Sequence, residues 1–334
     1  MASGAVLPVS DPAKDDNDKI FRGSAMTKRA AYAAISYMAC AVMLVLFNKA
    51  ALSSYNFPSV NFITLIQVIC SCSFLYVLRR KKVISFSEAG QLLDESRLFV
   101  SYKTLVQTSP LAVAYLVYLI VTMASIRGVS VPMYTTIRRT TVLFTMVVEY
   151  VLTRQTYTRH IIGSVAVIVI GAFIAGARDL SFDAYGYGVV LMANLTTAIY
   201  LATIARVGKS CGLNSFGLMW CNGILCGPFL LLWSYVQGDL KAAMSFPDLL
   251  SPGFLTVLLL SSMLAFCLNY SVFLNTRLNS ALAQTICGNL KDIFTIGFGW
   301  ILFGGLPFDL LNVIGQGLGF VGSGLYAYYK VIGK

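Results

Sequence analysis

Apolar residues run in blocks of about 20 along almost the whole chain, separated by short polar segments that hold most of the lysines and arginines. Ten blocks stand out, at about 30–48, 58–78, 105–125, 131–152, 160–177, 185–205, 213–236, 253–274, 280–302 and 308–329. Each is long enough to cross a hydrocarbon layer of about 30 Å as a helix. Lipid offers no water to backbone N–H and C=O groups, so only helices and closed barrels span it. The blocks lack the strict alternation of barrel strands. The pattern predicts an all-α polytopic membrane protein with ten transmembrane helices. Charges interrupt two of the blocks, 131–152 and 280–302.

Ten helices divide into five plus five. With an odd number in each half, the second half enters the membrane from the opposite side, which predicts an inverted repeat with a binding site near the midplane. The expected organisation is a disordered cytosolic tail over 1–27, a first repeat over 28–180 and a second over 181–330. An echo at an offset of 150 pairs Thr135, Phe144 and Thr145 with Thr285, Phe294 and Thr295. It pairs the two blocks that carry charges. The tail holds Asp11, Asp15, Asp16 and Asp18. It resembles neither a signal peptide nor an organelle transit peptide, which is poor in acids.

Composition agrees with a lipid setting. The 334 residues are 57% hydrophobic and 12% charged, against about 25% charged in soluble domains. A net charge of +11 could indicate nucleic acid, but its placement indicates topology instead. With both termini cytosolic, the cytosolic segments hold 18 of the 25 basic residues and the opposite side holds four. That asymmetry is the positive-inside signature, and it orients both termini to the cytosol. The eight cysteines avoid lumenal loops, so disulfides are not expected, and no metal-ligand spacing occurs. No cofactor is expected. The sequon at Asn194 lies inside a span and should be unused. His160 reads as an interfacial residue. Glycines gather in the fifth and tenth spans, where close packing within one chain is the expectation and a homodimer face the alternative.

The remaining three basic residues are Arg138, Arg139 and Lys291, all inside spans. Arg138 lies at a depth of roughly 10 Å and Lys291 at roughly 16 Å, on helices the repeat would bring together. Each cation at that depth costs about 2.5–3.5 kcal/mol on insertion scales. Asp292 and Glu149 are the intramembrane acids, so positive charge is left over. Neighbouring side chains on a helix diverge by about 100°, so Arg138 is assigned to a cavity and Arg139 to a structural partner, Asp292. Two cations with no catalytic dyad make a receptor for a dianion such as a diphosphate. Polar side chains suited to a base or sugar lie at similar depth: Tyr134, Tyr37, Asn222, Gln284, Asn269 and Tyr270.

The run Val131-Pro132-Met133-Tyr134-Thr135-Thr136-Ile137-Arg138-Arg139-Thr140-Thr141, followed by Glu149, resembles the fourth helix of nucleotide-sugar transporters of the drug/metabolite transporter superfamily. Phe47-Asn48-Lys49 resembles that family's first-helix motif. The stretch from Asn279-Ser280-Ala281 to Cys287-Gly288-Asn289-Leu290-Lys291 resembles its ninth helix, which ends in a substrate-binding lysine. The resemblance implies ten helices, Golgi or ER residence, and import of a nucleotide-sugar in exchange for a lumenal nucleoside monophosphate. It marks Tyr37, Tyr134, Arg138 and Lys291 as cavity residues. GDP-mannose transporters carry Phe-Tyr-Asn-Asn where this chain reads Trp220-Cys221-Asn222-Gly223, and Gly-Ala-Leu-Asn-Lys at its Cys287–Lys291 stretch. The segments 175–182 and 238–240 are closer to transporters of UDP-glucuronate and UDP-N-acetylhexosamines, in a plant-like branch. The resemblance therefore implies UDP-GlcNAc or UDP-GalNAc as substrate and the Golgi membrane as home.

Other readings are a GDP-sugar or phosphorylated-sugar transporter of the same superfamily, and an intramembrane glycosyltransferase. An enzyme of that kind needs clustered acids for metal or acid–base work. Here Asp179, Asp183, Asp239, Asp248 and Asp309 are scattered.

Overall fold

The computed structural model describes residues 26–55, 57–87, 100–125, 129, 131–176, 183–303 and 310–333. The tail expected over 1–27 lies outside them except for its last two residues, and so does the expected repeat boundary at 180. Those two residues are ordered by contacts: Met26 donates its N–H to Lys330 O at 3.2 Å, and Thr27 caps the first helix.

Among the described residues the chain forms twelve helices: α1 (Lys28–Ser54), α2 (Val60–Arg80), α3 (Tyr102–Ser125), α4 (Val131–Arg138), α5 (Thr141–Thr153), α6 (Arg159–Gly176), α7 (Ala184–Ser210), α8 (Ser215–Val236), α9 (Asp239–Met244), α10 (Pro252–Leu278), α11 (Ala281–Phe303) and α12 (Leu310–Ile332). Side-chain oxygens start several of them by satisfying N–H groups that lack intrahelical partners. Ser59 accepts from Phe62 N, Asp183 from Tyr185 and Gly186 N, Asn214 from Gly217 N, and Ser251 from Phe254 N. Seven helices (α1, α2, α3, α6, α7, α8 and α10) are long and apolar enough to cross a membrane. Large apolar side chains such as Phe173 and Leu232 stand 72% and 60% exposed on the outside. That surface suits lipid, and the protein is an all-α multi-pass membrane protein.

The fourth apolar block is two helices rather than one. At the break the backbone tightens to i−3 bonds: Arg139 N to Thr136 O at 3.2 Å and Thr140 N to Ile137 O at 3.0 Å. Two threonine hydroxyls drive this by bonding back to the chain, Thr140 to Ile137 O and Thr141 to Arg138 O. Such side-chain bonds offer carbonyls an alternative to the helical ladder.

Packing is mostly between the first five blocks and the last five. α1 lies against α10 and α11, α2 against α8 and α10, and α3 against α7 and α8. α5 lies against α7 and α11, and α6 against α12. The α6–α12 approach is close enough that a Cβ on Gly315 would sit 2.4 Å from Gly171 O. Gly171, Gly315 and Gly322 are thus used for close packing within the chain. α7 is the most enclosed span, with 56% of its membrane stretch buried against 22% for α3. Its side chains therefore meet those of α3, α4, α5, α10 and α11 in the interior.

Candidate functional site

Arg138 is the last residue of α4, so its side chain leaves the chain at the break. Its Nη1 donates to Thr197 Oγ1 at 2.8 Å and Asn194 Oδ1 at 3.3 Å, both on α7. The guanidinium also lies 6.0 Å from the centre of the Tyr134 ring. Among the described residues no carboxylate bonds to Arg138, and both of its acceptors are neutral.

Arg139 points elsewhere. It is 4% exposed and donates to Gln316 O at 3.1 Å and Gln316 Oε1 at 3.4 Å on α12. Its guanidinium lies 4.4 Å from the Phe320 ring and over Gly319, where a Cβ would come 2.9 Å from Nη1. The structural partner expected for Arg139, Asp292, is instead bonded to Lys291 at 2.7 Å. Adjacency explains the exchange: Lys291 and Asp292 are neighbours on α11, and the flexible lysine stem lets its ammonium reach back. Asp292 acts on Arg139 only through space.

Tyr37 on α1 joins these groups. Its hydroxyl lies 3.5 Å from where a Cβ on Gly288 would be, one turn before Lys291. Its electrostatic neighbours include Asp292, Tyr118 and Arg138. Tyr118 in turn neighbours Arg138 and Tyr134. Tyr134 thus lies against Arg138, and Tyr37 lies within electrostatic reach of both Arg138 and Asp292.

A second group lines a small cavity of about 30 Å³ between α2, α3, α8 and α10. Asn222 and Asn269 both border it, with Ser71, Cys72, Tyr115 and Cys226. Asn222 accepts only a long contact from Cys226 Sγ at 3.7 Å, and no protein bond to Asn269 occurs among the described residues. Both amides therefore keep hydrogen-bonding capacity toward the cavity. Three tyrosines connect the cavity to the cations. Tyr115 lies 6.2 Å from Tyr118 and 5.3 Å from Tyr200, and Tyr118 stacks on Tyr200 at 5.4 Å. The result is a polar track with amides at one end, phenols between, and cations at the other.

Two expected site residues are not brought into this track. Tyr270 stacks on Phe216 at 4.2 Å. Its neighbour Asn269 takes the cavity side, as the 100° turn between adjacent helical residues requires. Gln284 is 3% exposed and accepts from Asn275 Nδ2, in a chain that continues through Asn279 to Ala30 O. It ties α10 and α11 together with the start of α1. The tyrosines at 115, 118 and 200 went unnoticed in the sequence, where the i, i+3 spacing of Tyr115 and Tyr118 was the available signal.

Glu149 adds nothing negative to the track. It is 1% exposed and accepts from Tyr157 Oη at 2.7 Å, Ala281 N at 3.0 Å and Leu282 N at 2.9 Å. It thus caps α11, where the helix dipole favours an anion. Burial and that carboxylate hold the Tyr157 hydroxyl far above the usual phenol range, so it stays a donor. With Glu149 committed there, the acid that remains beside Arg138 and Lys291 among the described residues is Asp292.

Among the described residues the site is rich in cations and holds no pair of carboxylates, which suits binding and release rather than bond-making. Residues 28–327, nearly all of the helical part, match the Triose-phosphate Transporter family. The chain belongs to that family. It is a transporter and not an enzyme. Within the family's reach lies the UDP-N-acetylglucosamine transporter of Arabidopsis thaliana, 67% identical with 100% of both chains covered. The UDP-sugar transporter sqv-7 of Caenorhabditis elegans is 31% identical over 89% of this chain and 88% of that one. A GDP-mannose transporter of Arabidopsis thaliana is 27% identical over 91% of this chain and 90% of that one.

Proposed function

We propose that this transporter carries UDP-GlcNAc from the cytosol into the Golgi lumen in exchange for UMP. One observation carries the reading: Arg138 is held by neutral oxygens, and the Lys291–Asp292 pair approaches the same tyrosine, Tyr37, that Arg138 acts on. The diphosphate binds these two cations, and the uracil reaches along the tyrosines toward Asn222 and Asn269. Identity supports the sugar: 67% to the UDP-N-acetylglucosamine transporter against 27% to the GDP-mannose transporter. The amide-lined end of the track favours a nucleotide over a bare phosphorylated sugar. UDP-GalNAc and the ER membrane are the nearest alternatives.

The architecture in this reading is ten spans in two inverted repeats, 28–180 and 181–330, with α4 and α5 together making the fourth span. The packing supports it. Exchanging each span for its counterpart five places along turns the α1–α10 contact into α7–α3, α2–α10 into α8–α3, and α5–α7 into α11–α1. All of these contacts occur. The distribution of basic residues supports cytosolic termini.

Exchange follows from charge. Lys291 carries its own counter-ion, Asp292, but Arg138 bonds to no carboxylate among the described residues, so returning the site empty leaves a cation unpaired in low dielectric. A returning UMP removes that cost. Proteoliposomes loaded with UMP are expected to take up UDP-GlcNAc much faster than empty or GMP-loaded ones, and faster than they take up GDP-mannose or triose phosphate. Preference for GDP-mannose or triose phosphate would contradict the substrate, and equal rates in empty vesicles would contradict obligate exchange.

A further inference from the structure

Asn194 is 0% exposed and uses its whole amide on the broken helix beside it. Its Oδ1 accepts from Arg138 Nη1 at 3.3 Å and lies 2.8 Å from Thr141 Oγ1, whose one proton is shared between it and Arg138 O. Its Nδ2 donates to Ile137 O at 2.9 Å and Thr140 Oγ1 at 3.1 Å. A buried primary amide can make about four bonds, and this one makes four, all to residues 137–141. One turn along α7, Thr197 accepts from the same Arg138 Nη1 at 2.8 Å and passes its own proton to Ala193 O. The pair grips one corner of the guanidinium with oxygens that bear no charge. Nε and Nη2 of Arg138 make no bond among the described residues.

We propose that Asn194 and Thr197 are positioning residues: a neutral cradle that aims Arg138 into the track while leaving its charge for the substrate phosphates. It rests on the reading of Arg138 as a phosphate ligand. The chemistry explains why the cradle is neutral. A carboxylate at either position would hold the guanidinium as well, but would neutralise it and compete with the incoming anion. An apolar residue would leave the arginine free to swing and the carbonyls of the break unsatisfied. An amide and a hydroxyl avoid both faults. Because Asn194 also bonds Ile137 O, the same side chain fixes the break that points Arg138 inward.

Affinity measured on purified transporter tests this, with UDP-GlcNAc and UMP as probes and uridine, which lacks phosphate, as control. Thr197→Val removes an acceptor without touching the break, and Asn194→Asp supplies the competing carboxylate. Each is expected to weaken UDP-GlcNAc and UMP by about tenfold, the worth of one charge-assisted hydrogen bond, and to leave uridine unchanged. Thr197→Ser should restore near wild-type affinity. Thr197→Val should not weaken UDP-GlcNAc further when Arg138→Ala is already present. An equal loss in that background, or uridine falling in step with UDP-GlcNAc, would overturn the cradle and leave a purely structural role. Where Asn194→Asp fails to fold, Thr197→Val decides alone. Wild-type binding by Arg138→Ala itself would instead overturn the reading of Arg138 on which the cradle depends.

Discussion

Arg138→Ala is expected to lower UDP-GlcNAc uptake by roughly a hundredfold, with the protein still folded and still in the membrane. Two charge-assisted bonds to phosphate oxygens amount to about 3 kcal/mol, which is that factor. The fold should survive because the partners left behind are neutral, and Asn194 keeps its bonds to Ile137 O and Thr140 Oγ1. No buried carboxylate is orphaned. Arg138→Lys should retain part of the activity, since charge remains but the planar fork does not. Uptake by reconstituted protein, beside thermal unfolding of the same preparations, checks both halves of the expectation. A variant that unfolds early and loses uptake in proportion would mark Arg138 as a strut rather than a ligand.

Lys291→Ala should be as severe, for a compound reason. It deletes one cation and leaves Asp292, 31% exposed, facing the site as a bare anion that repels phosphate. The double variant Lys291→Ala/Asp292→Asn separates ligand from strut. If Lys291 binds substrate, the second change restores stability and relieves repulsion, yet uptake stays lost. If the pair is only structural, neutralising both partners should recover stability and uptake alike, because breaking one side of an ion pair costs more than removing both. Recovery of uptake in the double variant would therefore exclude Lys291 from the site.

How much of this was legible beforehand follows from what each residue's signal depends on. Hydropathy marks membrane helices because the membrane imposes its thickness on the chain, and seven helices of the structure are long and apolar enough to cross one. Arg138 and Lys291 announced themselves by being where lipid makes cations expensive. The break between α4 and α5 did not. It depends on threonine hydroxyls and on an amide from α7, 53 residues or more away in sequence from the groups it bonds. Asn194 read only as an unused sequon. Gln284 Oε1 accepts from Asn275, a pairing across the α10–α11 turn that spacing along one helix cannot reveal. Tyr115, Tyr118 and Tyr200 look, residue by residue, like any interior aromatics. Their meaning comes from stacking across α3 and α7 between two polar groups. Asp292 shows the same limit in electrostatics: the charges could be counted, but only the geometry assigned the acid to Lys291.

The most direct measurement is the position of the ligand in a structure determined with UDP-GlcNAc bound. Diphosphate oxygens should lie within about 3 Å of Arg138 Nη2 or Nε and of Lys291 Nζ. The uracil should lie past Tyr118 toward Asn222 and Asn269. A diphosphate held elsewhere in the bundle, with Lys291 still paired to Asp292 and Arg138 touching no phosphate, would contradict it.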